Sequence, residues 1–181
     1  MQKDTIFALS TPQGVGGVAV IRISGPQAQA ALQALFQPAG TSPMEPRKLI
    51  YGRFVFDGTQ IDDGMAVLFC APASYTGEDS AELHCHGSLA VVQQLLGALG
   101  TLPGLRPAEP GEFTKRAFLH GKMDLSQAEA VMDLIGAEGL AAARQSLSQL
   151  HGTLFAKVDG ICDALTLALA GIEAGLGFPR R

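Results

Sequence analysis

Apolar residues recur near the end of the chain at Leu147, Leu150, Leu154, Val158, Ile161, Leu165, Leu169, Ile172 and Leu176, at spacings of 3, 4, 4, 3, 4, 4, 3 and 4. Spacings of three and four keep side chains on one stripe of a helix, so the pattern predicts a single long helix from Leu147. Gly152, Gly160 and Gly171 each weaken such a helix by about 1 kcal/mol relative to Ala. The stripe must be covered by something, and the other helices in the sequence are too few to do it. Self-association or packing against further chain is therefore expected.

Up to about residue 120 the chain alternates between strand and helix patterns. Thr5 to Leu9 and Gly17 to Ser24 read as strands, the second rich in Val and Ile. Ser24-Gly25-Pro26 opens a helix with its stripe at Ala28, Ala31, Leu32, Leu35 and Phe36. Residues 37–47 carry three of the ten prolines and read as a loop. Lys48 to Phe56 and Gly64 to Phe69 are strand candidates punctuated by Asp57-Gly58 and Ile61-Asp62-Asp63, which suggests an antiparallel meander. Ser80 to His86 is a strand leading into a helix from Ser88 to Leu99, stopped by Gly100. Phe113, Ala117 and Phe118 would bury one face of a short helix ending at Gly121. Ser126 to Glu129 reads as a capping box for the next helix, interrupted at Gly136 and Gly139. The mixture predicts an α+β fold, with one domain at 1–121 and a helical one at 122–181.

A net charge of −4 leaves no electrostatic footprint for nucleic acid in this segment. Cys70, Cys85 and Cys162 lie far apart and form no CxxC pair, which suggests neither a zinc knuckle nor a redox pair. The opening MQKDTIFALSTP has no signal-peptide core, and the apolar run from Ala164 to Ile172 is far short of the roughly 20 residues that span a bilayer. A cytoplasmic protein without a membrane partner is expected.

Three groups of residues could carry chemistry. The run from Thr11 to Gly17 is glycine-rich, but a strand follows it and GxxxxGK[ST] does not occur, so a tight turn is expected rather than a phosphate loop. In Ser80 to Gly87, period-two geometry puts Glu82, His84 and His86 on one face and Leu83 and Cys85 on the other. Same-face neighbours nearly 7 Å apart converge poorly on one metal ion, whereas a carboxylate in that row could accept parallel N–H bonds from a heterocycle edge. Arg22, inside an apolar strand, is costly unless paired. It reads either as a salt bridge, with Glu82 a candidate partner, or as a fork for a ligand carboxylate or carbonyl. Lys122 follows a glycine helix stop, where a lysine serves as a capping cation or meets an anionic ligand tail.

The stretches DTIFALSTPQGVGGVAVIRISG, SYTGEDSAELHCHGS and RPAEPGEFTKRAFLHGKMDLSQAEAVMDLI resemble, in order and separation, the motifs of the MnmE (TrmE) family of tRNA modification GTPases. The resemblance runs from Asp4 to about Phe178. It implies an N-terminal domain similar to tetrahydrofolate-binding aminomethyltransferases, followed by an incomplete helical domain. It also implies homodimerisation and binding of 5-formyltetrahydrofolate or a related one-carbon tetrahydrofolate. The family's folate-contacting arginine, glutamate and lysine fall on Arg22, Glu82 and Lys122. In the full-length family a Ras-like G domain uses GTP, magnesium and potassium. With the flavoprotein MnmG, and on tRNA through the complete complex, the family modifies the wobble uridine at C5. Here Leu176 to Arg181 stands where the family leads into its G domain, so these 181 residues are not expected to hydrolyse GTP. Two alternatives are a stand-alone folate-dependent one-carbon transferase and a dimerising scaffold with a vestigial pocket.

Overall fold

The computed structural model describes residues 4–40 and 44–177, with 153–157 and 174–177 described as backbone only. The chain divides between Lys122 and Met123 into two compact units.

The first unit runs β1 (Thr5–Leu9), β2 (Gly16–Ser24), α1 (Ala28–Leu35), β3 (Phe36–Pro38), β4 (Ile50–Phe56), β5 (Thr59–Phe69), β6 (Ser80–Gly87), α2 (Leu89–Thr101), β7 (Leu105–Pro107) and α3 (Glu112–Leu119). The strands form one sheet in the order β3-β4-β5-β6-β2-β1-β7, antiparallel throughout except for the parallel β1–β7 pair. Hairpin-connected strands with separate helices make this the α+β arrangement that the sequence predicts. The alternation of side chains sets its two faces. Phe7, Ile21, Ile23, Leu68, Leu83 and Cys85 point to one side and form a single core with Leu32 and Leu35 of α1 and Leu95 and Leu99 of α2. Each large apolar side chain buried there contributes roughly 1.5–3 kcal/mol. Arg22, Glu82, His84 and His86 stand on the opposite side.

Several local expectations change. Residues 37–47 are not all loop, because Phe36 ends α1 and starts β3, pairing with Phe54. Asp57 and Gly58 both have positive φ, 49° and 75°, and make the two-residue hairpin turn between β4 and β5. Ile61-Asp62-Asp63 lies inside β5: Asp62 and Asp63 pair with Phe54 and Arg53 of β4 although their side chains are polar, and the register shifts at Ile61, whose side chain packs against the core. Gly100 does not stop α2, which continues to Thr101.

In α3 the buried residues are Glu112, Arg116 and Ala117, while Phe118 is exposed and Phe113 half-buried. Of the expected apolar face Ala117 is buried, and beside it Glu112 and Arg116 are buried in an ion cluster. Arg106 Nη2 donates to Glu112 Oε1 at 2.6 Å and Arg106 Nε to Asp4 Oδ2 at 2.6 Å. Arg116 Nη2 donates to Glu112 Oε1 and to Asp4 Oδ1, both at 3.0 Å, and Arg116 Nη1 to Glu78 Oε2 at 3.2 Å.

The second unit holds α4 (Leu125–Ile135), α5 (Leu140–Leu150) and α6 (Thr153–Gly177). The capping box of α4 is built by Asp124 and Gln127 rather than by Ser126 and Glu129: Gln127 N donates to Asp124 Oδ1, and Asp124 N to Gln127 Oε1, each at 2.8 Å. Gln127 Nε2 also donates to Leu150 O at 2.8 Å, tying α4 to the end of α5. The long stripe is split, because Gly152 has φ 75° and the chain turns at His151-Gly152. Past the break, Val158, Ile161, Leu165, Leu169 and Ile172 are all exposed. Leu154 and Leu176 lie outside the described side chains. Among the described residues, no helix is long and apolar enough to cross a membrane.

Candidate functional site

The register between β2 and β6 sets Arg22 opposite Glu82 and Val20 opposite His84. On the other flank of β6, Val67 and Met65 of β5 face the same two residues. Glu82, the salt-bridge partner that the sequence offered for Arg22, is thus its cross-strand neighbour. Arg22 donates from Nε at 3.0 Å and from Nη2 at 2.8 Å, both to Glu82 Oε1. The other carboxylate oxygen, Oε2, lies 3.4 Å from His84 Nε2 without forming a hydrogen bond. That Nε2 is buried and, among the described residues, is the one such side-chain nitrogen or oxygen lacking a partner.

Two aromatic rings complete the surroundings of Arg22. Its guanidinium carbon sits 5.4 Å from the centroid of Tyr75 and 5.9 Å from that of Phe113, within the range of cation–π attraction. Tyr75 Oη is 2.9 Å from Thr114 Oγ1, which fixes the ring against α3. Neither aromatic was expected from the sequence at this site. The available signal was their place in the SYTGE and PGEF stretches, which carry no periodicity to aim them.

Lys122 lies just beyond the end of α3. Lys122 N donates to Ala117 O at 2.9 Å and Gly121 N to Phe118 O at 3.0 Å, with Gly121 at φ 68°, a glycine-terminated helix end. The ammonium does not cap that helix. It donates to Pro72 O at 3.0 Å, in the segment that carries Tyr75. His120 Nδ1 holds the same segment through Thr76 O at 2.8 Å.

His86 departs from the row. Its ring Nδ1 is 2.8 Å from Asp62 Oδ1, and its backbone N donates to Asp62 Oδ2 at 2.8 Å. The hydrogen bond and charge of Asp62 raise the imidazole pKa above its ordinary value. Glu82, His84 and His86 therefore do not converge, and no group of three His, Cys, Asp or Glu side chains among the described residues could hold a metal ion. Cys85 points into the core, and burial pushes its thiol up to about 11, which makes it unreactive at neutral pH.

The turn from Thr11 to Gly16 leads into a strand and supplies no helix N-terminus for a phosphate. It lines a cavity of about 600 Å³ with Leu89, Val92 and Leu96 of α2, and among the described residues no charged side chain borders that cavity. The groups that could orient a polar ligand are on the Arg22–Glu82 face.

Residues 5–122 match the family model for the GTP-binding protein TrmE N-terminus, and residues 125–181 match that for the MnmE helical domain. The chain belongs to the MnmE (TrmE) family. Proteins named tRNA modification GTPase MnmE are similar to it along nearly its whole length. That of Parvibaculum lavamentivorans is 49% identical over 178 residues, 97% of this chain and 40% of the relative. That of Phenylobacterium zucineum is 51% identical over 178 residues, 98% of this chain and 39% of the relative. That of Natranaerobius thermophilus is 44% identical over 182 residues, 99% of this chain and 40% of the relative. The chain thus carries MnmE-type N-terminal and helical regions and spans about 40% of the length of these relatives.

Proposed function

We propose that the first unit binds a one-carbon tetrahydrofolate such as 5-formyltetrahydrofolate on the Arg22–Glu82 face of the sheet. The observation that carries this reading is a fixed carboxylate with an unfilled oxygen beside a buried imidazole nitrogen that has no partner. A buried nitrogen without a partner is costly unless something meets it. The residues fit the ligand's chemistry. Glu82 Oε2 accepts from an N–H of a pterin, and Tyr75 and Phe113 offer aromatic surface. Arg22 and Lys122 are the cations available to carbonyl or carboxylate groups of the p-aminobenzoyl-glutamate tail. The folate, when bound, supplies a one-carbon unit.

In this reading the module pairs with a second copy and belongs to a longer cytoplasmic protein that modifies the wobble uridine of tRNA at C5. GTP hydrolysis with magnesium and potassium, and the flavoprotein partner MnmG, belong to that longer protein. Calorimetric titration of the chain with 5-formyltetrahydrofolate, with Glu82→Ala in parallel, tests the folate reading. Uptake by the parent and its loss in a folded variant are expected; no uptake by a folded parent refutes it.

The exposed stripe on α6 favours a second reading, a scaffold whose helices drive self-association. Sedimentation of a chain ending at Asp124 separates the two. A dimer that persists puts the interface in the first unit, and a dimer that is lost puts it on the helices.

A further inference from the structure

We propose that His84 is a specificity-determining residue of the Glu82 site, which reads the lactam edge of a heterocycle rather than an amidine edge. The inference deepens the folate reading and rests on it. An amidine edge presents two parallel N–H donors and needs both oxygens of a carboxylate. Glu82 cannot offer both. Oε1 already accepts two bonds from Arg22, which fills its lone pairs. Arg22 is in turn held by Tyr75 and Phe113, so drawing it off Oε1 would strip a half-buried guanidinium of its carboxylate while leaving it between the two rings.

What remains is Oε2, an acceptor, and His84 Nε2, which donates when it carries the ring proton. They stand 3.4 Å apart and do not satisfy each other. A lactam offers one N–H next to one C=O, the complement of that pair. The N–H goes to Glu82 Oε2 and the C=O to His84 Nε2, reached by a small rotation of an imidazole whose χ2 is soft. Met65 and Val20, opposite His84 on the two neighbouring strands, offer that carbonyl no competing donor. The pyrimidinone ring of a reduced folate has both edges, so the site selects between two ways of holding the same ligand class.

The test is a calorimetric titration of the whole chain with 5-formyltetrahydrofolate and with its 4-amino-4-deoxy counterpart. In that counterpart the carbonyl becomes an amine and the adjoining ring nitrogen loses its proton. The parent should prefer the oxo compound by about tenfold or more, the scale of one hydrogen bond. His84→Phe should weaken the oxo compound by about tenfold and leave the amino compound where it was. His84→Gln, which keeps an N–H donor, should recover most of that loss. Equal affinity of the parent for the two compounds overturns the proposal, as does equal weakening of both by His84→Phe, because His84 is then only structural. Thermal unfolding checks each variant; if His84→Phe does not fold, His84→Leu takes its place, because the amino compound lacks the ring N–H that both edges use and the parent's ratio alone does not separate them. A folded parent that takes up neither compound removes the folate reading itself, and this inference with it.

Discussion

At the residue scale, two kinds of charged side chain behave differently. Arg22 was legible in the sequence because it interrupts an apolar strand, where an unpaired charge is too costly to leave, and Glu82 because period two sets it in one polar row with His84 and His86. Glu112 and Arg116 were not legible, since an acid and a base four apart on a short helix look like an ordinary surface pair. In the fold that pair is buried and joined to Asp4, Arg106 and Glu78. The bonds from Arg106, helped by Glu109 N and Arg116 and opposed by burial, bring the Glu112 carboxyl down from 4.5 to about 2. A carboxyl with a depressed folded-state pKa stabilises fully above its ordinary value and loses that contribution as pH falls toward the folded value. Glu112→Gln should therefore cost about 3 kcal/mol at neutral pH, with the gap to the parent closing between pH 4.5 and 2, as read by urea unfolding. His86 is the opposite case, an exposed imidazole raised by Asp62. Any stability it adds is present at low pH and lost as pH rises through its folded value. Asp62→Asn should return the His86 titration, followed by NMR, toward that of a free histidine.

At the scale of elements, the period of the hydrophobic pattern placed most strands and helices, because it follows from backbone geometry alone. It failed where backbone pairing and side-chain polarity disagree. β5 carries Asp62 and Asp63 yet continues as a strand, since Arg53 and Phe54 of β4 pair with them. Gly64, next in the same strand, shows why glycine stands there. A Cβ at that position would collide with His84 O of β6, whereas one at Gly58 would meet nothing within 4 Å. Gly64→Ala should cost about 1–3 kcal/mol by forcing the strands apart. Gly58→Ala should cost about 1 kcal/mol through its positive φ alone. Thermal melts of the two variants should rank Gly64→Ala as the less stable.

At the scale of the whole molecule, the stripe near the C-terminus was correctly read as helical and as lacking cover, but not as one helix. The turn at Gly152 separates Leu147 and Leu150 from the exposed residues of α6. Ile161→Lys combined with Leu165→Lys should lower self-association in sedimentation experiments without moving the unfolding transition of the first unit, whose core contains neither residue. The sequence by itself determined the α+β class, the two faces of β2 and β6, and the polar identity of Arg22, Glu82 and Lys122, because periods of two and of three to four are properties of the local backbone. Only the tertiary structure decided that Arg106 meets Asp4 across 102 positions, that Tyr75 and Phe113 flank Arg22, and that His84 is left without a partner. Those meetings depend on strand register and on where a segment returns to the sheet, and no local pattern encodes the distance between residues that the chain brings together only after it has folded.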